Sequence, residues 1–482
     1  MAETKFDLIA IGGGFAGLTA AARAIRTGEA ELIAARAADQ GLKALVLERD
    51  TDDRYLCNSR ITSGVFHVAS NDVRISADEL AAAIEKETAG YAKPELSRAI
   101  AENAGPTVEW LRAIGVKFVA KGIGYVNLRQ HLVLAPPRRM RAGLDWEGRG
   151  GDYTLRALEA HLIKCGGSVR RGAEVTGLVM TGGQCTGVRV VEGGAEREIS
   201  AAAVVIADGG FQANPEMVNG SITDAPDRVR LRATSSATGD GIRMAAEAGA
   251  ALTALGDFYG HLLAVAAMHN DALWPYPNMD VVAVAGVMVD GDGKRFVDES
   301  RGGVYLANAV AKLDDPLSAT VIMSPGIWDE VGASGTAPPN PLLLDHGGTL
   351  IEAPDADGLA AAIGVPADAL KATISAYNDA FTGDQLAALV PVRGEGRHQA
   401  FGLGDGPYSA IHICAGLTNT MGGIDIDAHC RVLKPDGNVI GGLYAAGSST
   451  GGLEGGPNVG YVGGLIKAFA FGLIAADHAS KN

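Results

Sequence analysis

The chain has 482 residues, enough to expect two domains rather than one core. Hydrophobic residues make up 47% and charged residues 20%, the profile of a soluble globular enzyme. A net charge of −15 without a long basic patch argues against a nucleic-acid partner, and no apolar run reaches the roughly 18 residues of a membrane span.

The opening segment reads as strand, glycine-rich turn and helix, with the strand at 5–11 and a second strand at 44–48, a βαβ unit. Residues 76–115 read as two helices. A helix followed by strands fills 152–208, and another helix starts near 239. From about 257 to 414 the texture changes to aromatic and His-bearing loops with several prolines and a helix at 366–381. The end returns to the glycine-rich style, with a strand at 442–446 and a helix at 463–478. The five cysteines, Cys57, Cys165, Cys185, Cys414 and Cys430, are scattered and odd in number. They point away from a disulfide framework or a zinc site and towards a reducing cytoplasm, with no signal peptide expected before the first strand.

Gly12-x-Gly14-x-x-Gly17 lies between a strand and a helix. Gly12 suits the tight turn, Gly14 close approach of a pyrophosphate, and Gly17 packing of helix on strand. The helix start offers free N–H groups and a positive dipole end to phosphate. Glu48 closes the second strand, where an acid can bind ribose hydroxyls. The link from Gly17 to Glu48 is longer than usual, so a lengthened helix or added turn is expected between Arg26 and Ala38. The distant Gly442–Gly452 stretch, a strand ending in a glycine turn, favours FAD over NAD, because the longer cofactor must also be held along its ribityl chain and ring.

At this point the chain resembles the flavoprotein family of fumarate reductases, succinate dehydrogenase flavoprotein subunits, tricarballylate dehydrogenases and 3-ketosteroid dehydrogenases. The matching stretches are IGGGFAGLTAA at 11–21, LVLERD at 45–50, NSRITSG at 58–64, VVIADGGFQANPEM at 204–217, TGDGIRMAAEAGA at 238–250, GKRFVDE at 293–299, TMGGIDID at 420–427 and GLYAAGSSTGG at 442–452. The resemblance implies an α/β fold: a Rossmann-type FAD-binding domain, 1–257 and 415–482, with an inserted α+β capping domain at 258–414. It implies hydride transfer at flavin N5, at a carbon next to a carbonyl or carboxylate. It implies cofactor contacts from Phe15, Ala16, Arg49, Asn58, Ser59, Ser63, Gly64, Glu174, Val175, Ala207, Asp208, Gly209, Asp240, Gly447, Ser448, Asn458, Gly463 and Leu465. Members that bind FAD covalently carry a His where Asn58 stands, so non-covalent FAD is expected, with His67 the nearby rival.

For catalysis the resemblance offers Arg301, two residues early against the family's proton-donating arginine. Glu299 or Asp298 would then serve as its relay base, and a structural ion pair is the second reading. His261 is either a substrate-oxygen contact or a satisfied half-buried histidine. Tyr461 either polarises a ketone and moves a proton, given a lowered pKa, or packs the loop. Tyr125, Tyr259, Tyr276 and Tyr305 are weaker candidates of the same kind. The His before TMGG and the Arg of the last loop are missing, so the clamp for a second carboxylate is lost and a cyclic ketone or mono-acid fits better than fumarate. The expected function is α,β-dehydrogenation or the reverse ene-reduction of a small-molecule substrate, with an electron acceptor or donor outside the chain. A fumarate-reductase-like reductase of an unsaturated carboxylate, or a non-catalytic flavin-binding subunit, are the alternatives.

Overall fold

The computed structural model describes residues 5–25, 42–120, 131–139, 141–335, 337–395 and 399–481. The extra turn expected between Arg26 and Ala38, and the candidate Tyr125, lie outside them. Among the described residues, no helix is long and apolar enough to cross a membrane.

Two sheets organise the chain. The first is built on five parallel strands: β1 (Phe6–Ile11), β2 (Ala44–Glu48), β3 (Ser168–Arg171), β4 (Ala195–Ile206) and one late strand, Val439–Ala445. In space the order is Arg431–Leu433, Val439–Ala445, β4, β1, β2, β3, with Arg431–Leu433 antiparallel at the edge. Ile9 pairs with Leu45 on one side and Val204 on the other. Every residue of Ala44–Leu47 is essentially inaccessible, as expected of parallel strands covered on both faces. The helices Phe15–Ala24 and Gly464–Ala479 pack on each other, and their small residues permit that close approach. Phe15 stacks on Phe469 at 4.5 Å between ring centroids.

The chain leaves β1 in both directions, to β2 on one side and β4 on the other. Their carboxyl ends therefore open a crevice at the point where the strand order reverses, the place where such sheets bind ligands. The sequence-based helices match closely: Ala77–Thr88 and Pro94–Ala113 in 76–115, Gly150–Lys164 before β3, Asp240–Glu247 and Ala367–Thr382.

The second sheet is organised on one long strand, Tyr408–Thr420. Phe258–Ala264, Thr320–Met323 and Ile351–Ala353 pair with it antiparallel, and Arg230–Leu231 pairs with it parallel. The boundary drawn at 415 from the sequence falls inside this unbroken strand, and Arg230–Leu231 joins the second sheet although it precedes 258. Tyr259 pairs with Asn419 and Gly260 with Leu417, so Thr418 is a surplus residue, a β-bulge. Such bulges re-aim side chains beside sites.

Candidate functional site

A cavity of about 740 Å³ opens along the carboxyl ends of the parallel strands. Gly12, Gly14, Phe15 and Ala16 line it from the first turn, and Glu48 and Arg49 from the end of β2. Glu174 and Val175 line it just after β3, Ala207, Asp208 and Gly209 from the end of β4, and Gly447 and Ser448 from the last strand. Residues far apart in sequence meet here because parallel strands finish at one edge of their sheet. Asn58, Ser59, Ser63, Asp240, Leu465, His261 and Tyr461 line the same cavity. Gly17, Gly64, Gly463, Asn458 and Arg301 are not on its wall.

The glycine turn is shaped as a cradle. Gly12 has φ +97°, and a Cβ there would lie 2.7 Å from Asp208 Cα. A Cβ on Gly17 would collide with the Gly12 carbonyl, so this glycine serves the packing of helix on turn. Gly13 N–H donates to Glu48 Oε2 at 2.9 Å, and Tyr55 O–H donates to the Gly13 carbonyl at 2.5 Å. Phe15 N–H donates to Ser59 Oγ at 2.9 Å. Two buried atoms on the cavity wall, Gln212 Oε1 and Asn419 Nδ2, have no protein partner. A glycine cradle at a helix start, a carboxylate closing β2 and unanswered polar atoms along the wall fit a long dinucleotide such as FAD. Burial raises the Asp208 carboxyl to about 6, against the Gly241 N–H it accepts at 2.7 Å. Replacing Gly12 by Ala is expected to weaken FAD retention by about ten- to a hundredfold, from strain at positive φ and the clash with Asp208. Flavin absorbance per protein measures it, and full retention would mean that the turn yields.

Asn58 is fixed at both ends, donating from Nδ2 to the Thr418 carbonyl at 2.9 Å and accepting the Thr234 N–H at 3.0 Å. The bulge at Thr418 makes this possible by leaving that carbonyl out of the regular ladder.

Beyond Asn58 lies a cluster of aromatic and charged side chains. Tyr259 and Tyr461 stack with centroids 3.8 Å apart and planes 18° apart. The Tyr259 hydroxyl meets His261 Nε2 at 2.9 Å, and His261 Nδ1 meets Asp280 Oδ2 at 2.5 Å. Asp280 Oδ1 also accepts the Leu262 N–H at 2.9 Å. His261 therefore lines the cavity with both ring nitrogens occupied, and Tyr259 is the group it presents. The Tyr461 hydroxyl accepts the Gly464 N–H at 2.7 Å, which leaves its own O–H free to donate. Burial, with Tyr461 alongside, raises the Tyr259 phenol well above its usual value. Burial, with Glu454 nearby, also raises Tyr461. The lowered pKa that the sequence reading made a condition for Tyr461 to move a proton is not met: burial raises both phenols. His67, beside Tyr461 and His131, is held down at about 4 by burial, with His131 adding to the effect.

The structure does not bring Arg301 into the cavity. Its guanidinium is exposed, lies over the Tyr305 ring at 3.9 Å, and donates to the Pro457 carbonyl at 2.8 Å and to Asn458 Oδ1. The relay base considered for it is engaged elsewhere. Glu299 is fully buried between Arg295, at 2.6 Å, and Arg393, at 3.3 Å, while Asp298 Oδ1 accepts the Ser300 and Gly394 N–H groups. Arg301 ends the short 3-10 turn Glu299–Arg301, and Gly302, at φ +89°, links that turn to the helix Gly303–Ala311.

Sequence reasoning missed Asp280, Arg232 and Arg138. Nothing local marks them: each is an ordinary charged residue until the fold sets Asp280 behind His261 and the two arginines against Tyr276.

The sequence matches the FAD-binding domain family over residues 7–460. An NADH:acrylate oxidoreductase of Vibrio harveyi is 29% identical over 401 residues, covering 81% of this chain and 37% of its own. An NADH:fumarate oxidoreductase of Klebsiella pneumoniae is 26% identical over 496 residues, covering 100% of this chain and 48% of its own. The chain thus spans less than half the length of these two relatives. Among solved structures, a 3-ketosteroid delta1-dehydrogenase from Sterolibacterium denitrificans superposes with a TM-score of 0.74 at 20% identity, covering 99% of this chain and 100% of that one, a likeness of fold. Fumarate reductases and ketosteroid dehydrogenases, the two kinds that the motifs resembled, both stand among the relatives and neighbours. A cradle at the strand ends that fits FAD and a family match over residues 7–460 agree, and the chain belongs to the FAD-binding domain family.

Proposed function

We propose that the protein is a FAD-dependent oxidoreductase acting on a carbon–carbon bond beside a carbonyl or carboxylate. The reaction is α,β-dehydrogenation of a cyclic ketone or mono-acid, or the reverse ene-reduction. The observation that carries this reading is the Tyr259–Tyr461 stack with His261 and Asp280 lined up behind Tyr259. Bound non-covalently, FAD supplies hydride transfer at N5.

The protein's own groups divide the remaining work. Tyr461, whose hydroxyl accepts from Gly464, directs its O–H to the substrate oxygen and stabilises charge that develops there. Asp280 holds His261 with its proton on Nδ1, so that Nε2 accepts from Tyr259. Dehydrogenation sends a substrate proton to Tyr259 as its own proton passes to His261, and reduction runs the same transfers backwards. A phenol with a raised pKa needs such a base behind it to act as a base at all. Arg301 has no part in this scheme, and Arg301→Ala is expected to leave turnover within about threefold of the parent, as for an exposed side chain away from the chemistry.

The test is anaerobic flavin absorbance. Cyclic ketones and saturated mono-acids are added to oxidised enzyme, and enones and unsaturated mono-acids to reduced enzyme. Bleaching or reoxidation by one of them is the expected result, and a flavin inert to all of them defeats the reading. A second reading, reduction of an unsaturated carboxylate, is favoured by the two buried arginines of the cavity wall and by the acrylate and fumarate relatives.

A further inference from the structure

Two arginines on the cavity wall have no carboxylate. Arg232 is 6% exposed and Arg138 is 7% exposed, yet neither forms an ion pair among the described residues. Each guanidinium lies against the same ring, Tyr276, at 5.1 Å from Arg232 and 5.3 Å from Arg138. Arg232 spends Nε on the Pro275 carbonyl and Nη1 on Thr418 Oγ1, both at 3.0 Å, which leaves Nη2 without a partner among the described residues. Among the described residues Arg138 reaches only the Ile61 carbonyl at 3.1 Å and, weakly, the Gly143 carbonyl at 3.5 Å, with Nε buried and unanswered.

Asp145, which acts electrostatically on Arg138, and Asp280, which with Arg232 acts on Tyr259, are both engaged by other side chains. Asp145 pairs with Arg149 at 3.1 Å, and Asp280 is held by His261. An arginine stays charged, and a buried charge without a partner is costly. Two of them side by side repel each other as well, and burial together with Arg232 lowers the affinity of Arg138 for its proton. A wall with this arrangement is stabilised by an anion supplied from outside the chain. Arg232 also acts electrostatically on Tyr259, so the uncompensated charge lies near the tyrosine pair rather than at the glycine turn.

We infer that Arg232, reinforced by Arg138 across Tyr276, receives a carboxylate of the substrate and makes this site selective for monocarboxylates over neutral compounds of the same shape. This rests on the proposed reaction at Tyr259 and Tyr461 and names the substrate class for it. Thr418 sets the geometry, since the bulge residue whose carbonyl anchors Asn58 also holds Nη1 of Arg232 in place.

The experiment needs no turnover, so it stands apart from the fate of the reaction proposed. Oxidised, FAD-loaded enzyme is titrated with cyclohexanecarboxylate and, separately, with cyclohexanecarboxamide, and the perturbation of the flavin spectrum is followed. The parent is expected to bind the carboxylate about ten- to a hundredfold more tightly than the amide, the range for charged hydrogen bonds. Arg232→Gln should abolish that preference while retaining FAD, and Arg138→Gln should reduce it. Equal binding of the two probes by the parent, or binding of neither, overturns the inference without any variant. Loss of FAD from a folded Arg232→Gln enzyme overturns it too, by assigning the arginine to the cofactor. If the preference holds while no substrate bleaches the flavin, the carboxylate seat stands and the reaction assigned to it falls.

Discussion

Replacing Tyr259 by Phe is expected to lower turnover about 10²–10⁴-fold, the range for removing a positioned acid–base group. The change deletes one oxygen and keeps the ring, so the 3.8 Å stack on Tyr461 survives and the pocket keeps its shape. What is lost is the hydroxyl that meets His261 Nε2 and, in the proposed reaction, relays the proton to it. FAD content and the melting temperature should stay at parental values, which separates chemistry from folding. Asp280→Asn should act in the same direction while also shifting the pH profile, because an amide no longer fixes the proton on Nδ1. Full activity in Tyr259→Phe, with activity lost in Tyr461→Phe, would hand the proton to Tyr461 instead.

The second large effect is on stability. Lys467→Met is expected to destabilise the protein by about 3–5 kcal/mol, the cost of leaving one member of a buried ion pair alone. Lys467 and Glu454 are 1% and 2% exposed, and Lys467 Nζ meets Glu454 Oε2 at 3.1 Å and the Thr450 carbonyl at 2.9 Å. The other oxygen, Glu454 Oε1, accepts the N–H groups of Val462 and Gly463, both at 3.1 Å. The pair therefore ties the loop carrying Tyr461 to the helix Gly464–Ala479. Chemical unfolding of the holoenzyme checks it, and an unchanged midpoint would mean that water or a rearranged loop satisfies Glu454. Glu454→Gln should cost less, since the amide oxygen can still accept from the loop.

The cofactor half of the molecule was legible in the sequence because its signals are local. A glycine turn must follow its strand directly, so Gly12, Gly14 and Gly17 declare strand and helix together, and the late glycine-rich strand reads in the same way. Residues such as Glu174 and Asp208 came through resemblance, and they meet the turn because parallel strands end at a common edge. The catalytic half was less legible because it is made by topology. His261 and Asp280 are 19 positions apart, one on the strand Phe258–Ala264 and one at the start of the helix Asp280–Ala285, and only the packing of that helix on the strand brings them together. Arg301 was offered by its motif alone, which shows neither that its neighbour Glu299 is committed to Arg295 and Arg393 nor that the arginine lies off the cavity wall. Burial was invisible as well, so the sequence could name a lowered phenol pKa only as a condition, and burial raises both phenols instead.

The surplus residue Thr418 has a consequence for how such a site can diversify. Side chains of a strand alternate faces, and one extra residue shifts the alternation by one step for everything beyond it. Asn419 and Thr420 therefore keep a phase opposite to the one that Tyr408–Leu417 would have imposed. Point substitutions in this strand can trade one side chain for another but cannot change which residues face the cavity. A one-residue deletion at 418 would change that at a stroke, straightening the ladder, freeing Asn58 and Arg232 together and resetting the wall opposite Tyr259. Libraries that vary chain length at this single position would therefore explore pockets that no library of substitutions can reach.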